Sequence, residues 1–297
     1  MYSYFTTLKQ SIRDLVEKTP HRVLPAACLY FLLSQIHTGA AQQSIPVRVD
    51  RWLSVQQMSG KVTYQDQQQS RSAKVGDRLQ AIGDGITTGQ RSAATLEVDT
   101  AVGFITLAEN TQINVQMLGI APDNGRITHL SVPYGQVRLR LRRFTHRGSR
   151  LQLQTPAGVS AVRGTEFGVA VQPNGKTGLA TLTGAVDTTA QGQTVAVPAG
   201  FQNFTIPGEP PTPPVPLRDN TEIRYTLERL IQRGLRQVRF WGQVDPVNTV
   251  LVGNVPQVTD RNGWFSIMLP ALSVQKLQVT VITPLGRQQT HQLTITL

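Results

Sequence analysis

The sequence alternates apolar and polar residues over short stretches, broken by glycine, asparagine or proline, from Val47 to about Thr205. Three clear stretches are Thr95–Asp99, Phe104–Leu107 and Gln112–Met117. Successive side chains of a β-strand point to opposite faces of a sheet, so each stretch predicts a strand with one buried face. Only 16% of the residues are charged, and Thr and Val are frequent. Composition and alternation together predict an all-β chain of many short strands, arranged as a sandwich or a solenoid.

Arginine occupies every second position at the end of the stretch Gln136–Arg142, with apolar residues between. The chain's dense basic cluster begins here: Arg138, Arg140, Arg142, Arg143, His146, Arg147 and Arg150. One interpretation is the solvated face of an edge strand that charge protects from aggregation. The other is a surface that binds an anionic partner, which the formal net charge of +11 favours electrostatically without identifying the partner.

The N-terminus resembles a signal peptide. An apolar run, Val23–Ile36, follows a basic leader and precedes small residues, which predicts cleavage near Ala40 or Ala41. The run is shorter than the roughly 20 residues of a membrane-spanning helix, which favours cleavage over retention as an anchor. A lipoprotein processed at Cys28 and a buried core helix are weaker alternatives. A single cysteine excludes an internal disulfide and a thiolate metal site within the chain. The leader's basic residues are Lys9, Arg13, Lys18 and Arg22.

Prolines recur from Pro207 to Pro216, and because proline cannot continue a sheet ladder, this segment is predicted to be a linker. Short strands separated by turns follow it and suit a small immunoglobulin-like sandwich. Ile223–Ile231 fits a helix or a strand; a strand is favoured because it can pair with Val238–Val244 across a turn. The predicted domains are a signal peptide (1–41), a first β domain (42–206), the linker (207–220) and the sandwich (221–297).

Three stretches resemble the FecR domain, in the family's order. The most specific lies in Leu151–Phe167 and reads Val-Arg-Gly-Thr-Glu-Phe. The glycines between Gly83 and Gly89 predict a tight turn. Gly164 predicts a sharp bend that brings Arg163 and Glu166 close enough to pair or to bind local backbone, with Phe167 pointing inward. The other two stretches are Val75–Leu96 and Ala180–Gly200.

The resemblance implies a periplasmic sensing domain. FecR-family proteins typically carry a short cytoplasmic segment that controls a sigma factor, followed by one transmembrane helix. About 22 residues precede the apolar run here, too few for a folded anti-sigma domain, so we expect the extracytoplasmic domain alone. The C-terminal part is similar to bacterial immunoglobulin-like domains with a turn of the type Asp260–Phe265. Turn formation explains Asp245, Asp260 and Asn262 better than calcium binding does.

Catalytic patterns are missing from the sequence. No Gly-x-Ser-x-Gly elbow and no phosphate-binding glycine loop occur, and His129, His146 and His291 are isolated. A carboxylate pair such as Glu109 and Glu166 would arise by chance in any β protein. We therefore expect no enzyme activity, cofactor or bound metal.

The first functional hypothesis is an exported sensing or scaffold protein that binds a protein partner or envelope component, with main-chain pairing at sheet edges as a contact mode. The alternatives are a binder of anionic envelope polymers and a membrane-retained regulator. No nucleic-acid partner is expected, and membrane contact is expected only if the N-terminal segment stays uncleaved. The candidate binding residues are Arg138, Arg140, Arg142, Arg143, Arg147, Arg150, Arg163 and Glu166.

Overall fold

The computed structural model describes residues 51–232, 235–272 and 274–296. The predicted signal peptide (1–41), its cleavage site and Cys28 lie outside the described residues. Within the described ranges the regular structure is entirely β, which confirms the all-β prediction. No helix that is long and apolar enough to span a membrane occurs in this part of the chain.

The first part of the fold consists of two sheets that share one long strand, β9. One sheet has the order β4-β1-β6-β7-β9-β12-β13-β16-β17, and the other β3-β2-β5-β8-β9-β10-β11-β14-β15. Neighbours are antiparallel except β9 and β10. The strands are β1 (Leu53–Ser59), β2 (Val62–Gln65), β3 (Ser70–Ser72), β4 (Arg78–Leu79), β5 (Gly85–Thr88), β6 (Ala93–Val98), β7 (Gly103–Leu107), β8 (Gln112–Ile120), β9 (Arg126–Leu141), β10 (Arg150–Thr155), β11 (Gly158–Val162), β12 (Glu166–Val171), β13 (Thr177–Thr183), β14 (Ala185–Ala190), β15 (Gln193–Pro198), β16 (Phe201–Thr205) and β17 (Val215–Pro216).

Strand β9 passes from one sheet to the other at Gly135. Its first half pairs with β8 and β10, and its second half with β7 and β12. Gly135 has a φ of +93°, and a Cβ there would overlap Thr111, so only glycine fits this bend. The first and last residues of β9, Arg126 and Leu141, therefore both lie far from Gly135, at the opposite end of the sandwich. The apolar side chains between the two sheets form one core, which includes Leu96, Ile105, Leu139 and Phe167.

The C-terminal part is a second, smaller pair of sheets. Their orders are β18-β19-β22 and β21-β20-β23-β24, and both contribute to one core that includes Phe240, Phe265 and Val279. The strand prediction for Ile223–Ile231 is confirmed, because β18 pairs with β19 throughout its length. The strands are β18 (Arg224–Gln232), β19 (Leu235–Gln243), β20 (Thr249–Val252), β21 (Val255–Gln257), β22 (Trp264–Pro270), β23 (Val274–Ile282) and β24 (Gln288–Thr296).

The proline-rich segment is not wholly outside the sheets. The expectation that it adds no strand is wrong for Val215–Pro216, which forms β17 and pairs with Phe201 and Gln202 of β16. An edge position makes this possible, because a proline at an edge needs no donor on its outer side. The boundaries 206, 207 and 220 of the predicted domains remain predictions.

The C-terminal sheets pack directly on the outer face of the first sheet, within one compact unit, Asp50–Leu297. Gly168 and Gly178 lie at this contact, where a Cβ would overlap the backbone oxygens of Pro284 and Val247 respectively. Polar side chains cross the same contact; the Gln136 amide, for example, donates to the backbone oxygen of Thr283 over 2.8 Å. The close backbone approach therefore depends on glycine at two positions.

Candidate functional site

Arg138 and Arg140 project from the outer face of the first sheet, and the residues between and beside them, including Leu139, are buried. The predicted alternation is therefore confirmed. The interpretation as an edge strand is wrong, because β9 is paired on both sides, with β7 and β12. The arginine alternation reports which face meets solvent, and it carries no information on whether the strand lies at an edge.

A groove of about 470 Å³ opens beside these two arginines. Within it Arg138 forms an ion pair of 2.6 Å with Glu166 and donates to the backbone oxygen of Leu285 over 3.2 Å. Arg140 lies in register with Phe104 of β7 on one side and Glu166 of β12 on the other. Phe104 is 37% exposed, so part of its ring is available to a partner. The groove is defined here by Phe104, Arg138, Arg140, Glu166, Leu285 and Gly286.

The turn between β11 and β12 carries the most specific sequence motif. Gly164 has a φ of +100°, and a Cβ there would overlap the backbone of Arg143. Phe167 is fully buried, as predicted. Arg163 and Glu166 do not pair with each other: the Arg163 Nε donates to the backbone oxygen of Ser149 over 3.4 Å, while Glu166 pairs with Arg138. The motif thus fixes a bend whose two charged residues serve different surfaces.

The remaining candidate arginines gather at the end of the sandwich opposite Gly135. Their segments are held together by backbone contacts: the Ser149 hydroxyl accepts from the amide of Arg126 over 2.9 Å, and the amide of Arg142 donates to Val102 over 2.9 Å. All are exposed, and in the described part of the chain none has a carboxylate within 4 Å. This surface, called the basic end, consists of Arg142, Arg143, Arg147, Arg150 and Arg163.

A buried ion pair lies beneath the basic end. The side chains of Arg51 and Asp99 are 4% and 5% exposed, and their charged atoms are 2.7 Å apart. The Arg51 guanidinium also donates to the backbone oxygens of Gly119 and Ile127, and Arg126 contacts Asp99 from the surface at 3.2 Å. Sequence reasoning missed this pair, since its members are 48 positions apart and neither belongs to a motif.

Lys176 is a second buried charge that the sequence did not reveal. Its ammonium donates to the Thr259 hydroxyl over 3.0 Å and to the backbone oxygen of Asp260 over 2.5 Å, across the contact between the two parts of the fold. Burial lowers the pKa of Lys176 to about 8, against smaller upward effects of Asp260 and Asp245. The Phe204 ring faces the ammonium at 4.7 Å. These contacts assign Lys176 to the internal contact, away from both exposed arginine surfaces.

The remaining polar candidates have structural partners. Asp260 accepts from the amides of Asn262 and Trp264, each over 2.8 Å, which is the turn role predicted for it. His291 contacts the backbone oxygen of Thr221 at 2.7 Å, and burial, followed by Arg150, lowers the pKa of His129. In the described ranges no three His, Cys, Asp or Glu side chains converge on a position that could hold a metal ion.

Comparison with known proteins gives one family match. Residues 84–187 match the family described as FecR protein. Two crystal structures of a putative anti-sigma factor from Parabacteroides distasonis are similar to 44% of this chain, with 14% sequence identity and a TM-score of 0.38. The chain spans 59% of the length of those structures. A search of curated proteins finds no match.

Proposed function

This chain carries a FecR domain, and from that premise we propose that it is a non-catalytic signalling or scaffold protein that works outside the cytoplasm and binds a protein partner. The signal-peptide pattern of the N-terminus supports export. The two C-terminal sheets pack around one core, which supports the immunoglobulin-like sandwich predicted for this part of the chain.

The observation that carries the proposal is the groove. It places an exposed aromatic ring, Phe104, directly beside Arg140, whose guanidinium has no carboxylate within 4 Å among the described residues. Aromatic residues, phenylalanine included, and arginine are enriched at the core of protein interfaces. Arg138 and Glu166 already neutralise each other, so Arg140 is the free cation of the groove. A partner segment with an apolar side chain next to a carboxylate fits this arrangement.

The C-terminal module takes part in the proposed site. Leu285 and Gly286 form one wall of the groove, and the Leu285 backbone oxygen holds Arg138. The module therefore shapes the binding surface of the FecR domain, in addition to any role as a spacer or dock. A partner bound in the groove would contact both parts of the fold.

Affinity purification of the tagged full chain from its own envelope tests the proposal. We expect one protein to be enriched reproducibly, and expect Arg140→Glu and Phe104→Ala each to lower its recovery about ten-fold or more. Arg236→Glu is the matched control, since it reverses an exposed arginine outside the groove and should leave recovery unchanged. Recovery that is insensitive to both groove variants would refute the groove as the binding site.

Strand addition at β15 is a second contact mode. This strand lies at the end of its sheet and pairs with β14 alone among the described strands. Gln193–Pro198 contains no charged residue of the kind that usually protects a sheet edge. A Val195→Pro variant would block a docked strand by distorting the backbone, and loss of the partner with this variant while Arg140→Glu retains it would favour the edge over the groove.

A further inference from the structure

The basic end concentrates positive charge that the fold does not neutralise. Four of its arginines lie on the segment 142–150, and Arg163 joins them from a different turn through Ser149. Three carboxylates lie near this end: Asp99, Asp123 and Asp187, the last of which faces Ala161, two residues before Arg163. Asp99 is already held by Arg51 and Arg126, and Asp123 accepts the backbone amides of Gly148 and Gly125 over 2.7 and 3.0 Å. Among the described residues no carboxylate lies within 4 Å of the five exposed guanidinium groups, which leaves them available to an external anion.

The chain also joins the described fold at this end. The Arg51 side chain is fixed beneath the basic end by Asp99 and by the backbone oxygens of Gly119 and Ile127. In the sequence, 14 residues, 37–50, separate the end of the apolar run Val23–Ile36 from Arg51. Fourteen residues reach about 50 Å at most. Where the N-terminal segment stays uncleaved, this apolar run is therefore tethered through Arg51 at the basic end and not at the end that contains Gly135.

From these two observations we infer that the basic end docks on the anionic phospholipid headgroups of the membrane across which the chain is exported. Arginine binds phosphate oxygens through two parallel N–H groups, which makes it well suited to headgroup phosphates. Docking would hold the domain in one orientation, with the basic end toward the lipid. The inference concerns a different surface and a different class of partner from the groove, so each can fail without the other.

Vesicle binding tests the inference. The exported protein would be purified with the N-terminus that the cell leaves on it. It would then be sedimented with vesicles of phosphatidylcholine alone and with vesicles that contain 30% phosphatidylglycerol. We expect binding to the anionic vesicles only, weakening steeply between low and high salt. Because one arginine near an anionic surface contributes about five-fold to binding, the triple variant Arg142→Gln, Arg143→Gln, Arg147→Gln should bind about 100-fold more weakly.

The matched control is the triple variant Arg224→Gln, Arg229→Gln, Arg236→Gln, which removes the same charge from exposed positions of the C-terminal module. It should keep binding within a few-fold of the unmodified chain. Equal loss with both triple variants would show a general charge effect and overturn the inference. Equal binding to neutral and anionic vesicles would overturn it as well.

The last part of the test measures binding to soluble anionic polymers. If polyphosphate or an anionic polysaccharide binds through the same arginines while anionic vesicles do not, the surface is a polymer site and the lipid assignment is wrong. Circular dichroism and urea unfolding of both triple variants would establish that each is folded, since all six side chains are exposed. A folded basic-end variant with unchanged vesicle binding would also refute docking.

Discussion

The buried ammonium of Lys176 predicts that the protein becomes more stable as the solution becomes alkaline. Lys176 is 1% exposed, and its pKa is lowered by burial from 10.5 to about 8 in the folded chain. Between these two values the unfolded chain holds a proton that the folded chain has released. The free energy of unfolding must therefore rise with pH across this window, because the unfolded state binds more protons.

The size of the rise follows from the two pKa values. Integrated from pH 7.5 to 9.5, this one group contributes about 2 kcal/mol. Tyr64 acts in the opposite sense at higher pH. Burial, followed by the nearby carboxylates Asp84 and Asp66, raises the pKa of its hydroxyl, so its stabilising contribution is lost as the pH rises above the unfolded value of 10.0. The comparison should therefore stop at pH 9.5.

Urea unfolding followed by tryptophan fluorescence at pH 7.5 and 9.5 measures the effect. The Lys176→Met variant should lose most of the rise, since it has no proton to release at this position. Lys276→Met, which removes an exposed ammonium, is the matched control and should keep the rise seen in the unmodified chain. A full rise in Lys176→Met, or none in the unmodified chain, would refute the assignment of Lys176 as a buried charge.

Two further substitutions test the packing. Gly168→Ala should lower the free energy of unfolding by about 1–3 kcal/mol, because its Cβ would overlap the backbone oxygen of Pro284. Gly119→Ala is the control and should change it little, because its Cβ would make only ordinary contacts near 3.9 Å. Equal urea midpoints for the two variants would contradict the close approach of the two backbones at Gly168. Asp99→Asn should lower the free energy of unfolding by about 3–5 kcal/mol, because it leaves the Arg51 guanidinium buried without its carboxylate. A loss below 1 kcal/mol in the same urea assay would show that the ion pair is open to water in solution.

Several elements were predictable because their signals are local. The alternation around Leu139 identifies the buried face of β9, and the pattern of Ile223–Ile231 together with its neighbour identifies a hairpin. Phe167 points inward for the same reason. Each of these predictions needed only the residues within one strand or across one turn.

The sequence named candidate binding residues without their arrangement, and their role in binding stays a prediction. The eight candidate residues divide between two surfaces: Arg138, Arg140 and Glu166 line the groove, and the others form the basic end. Phe104 was seen only as a strand residue, although its exposure of 37% gives the groove its apolar part. The alternation of β7 already places Phe104 on the outward face, but whether an outward ring stays exposed depends on what packs over the sheet, which the strand itself does not specify.

The sequence by itself determined that this protein is built from strands, which faces of them are apolar, and that residues 84–187 match the FecR family, since periodicity and motif are properties of neighbouring residues. The tertiary structure decided that β9 belongs to two sheets, that Arg163 joins the basic end while Glu166 pairs with Arg138, and that Lys176 is buried against Thr259. The physical reason is how far apart the contacting residues lie along the sequence. These contacts join residues from 14 to 83 positions apart, and they form only when the sheets pack together.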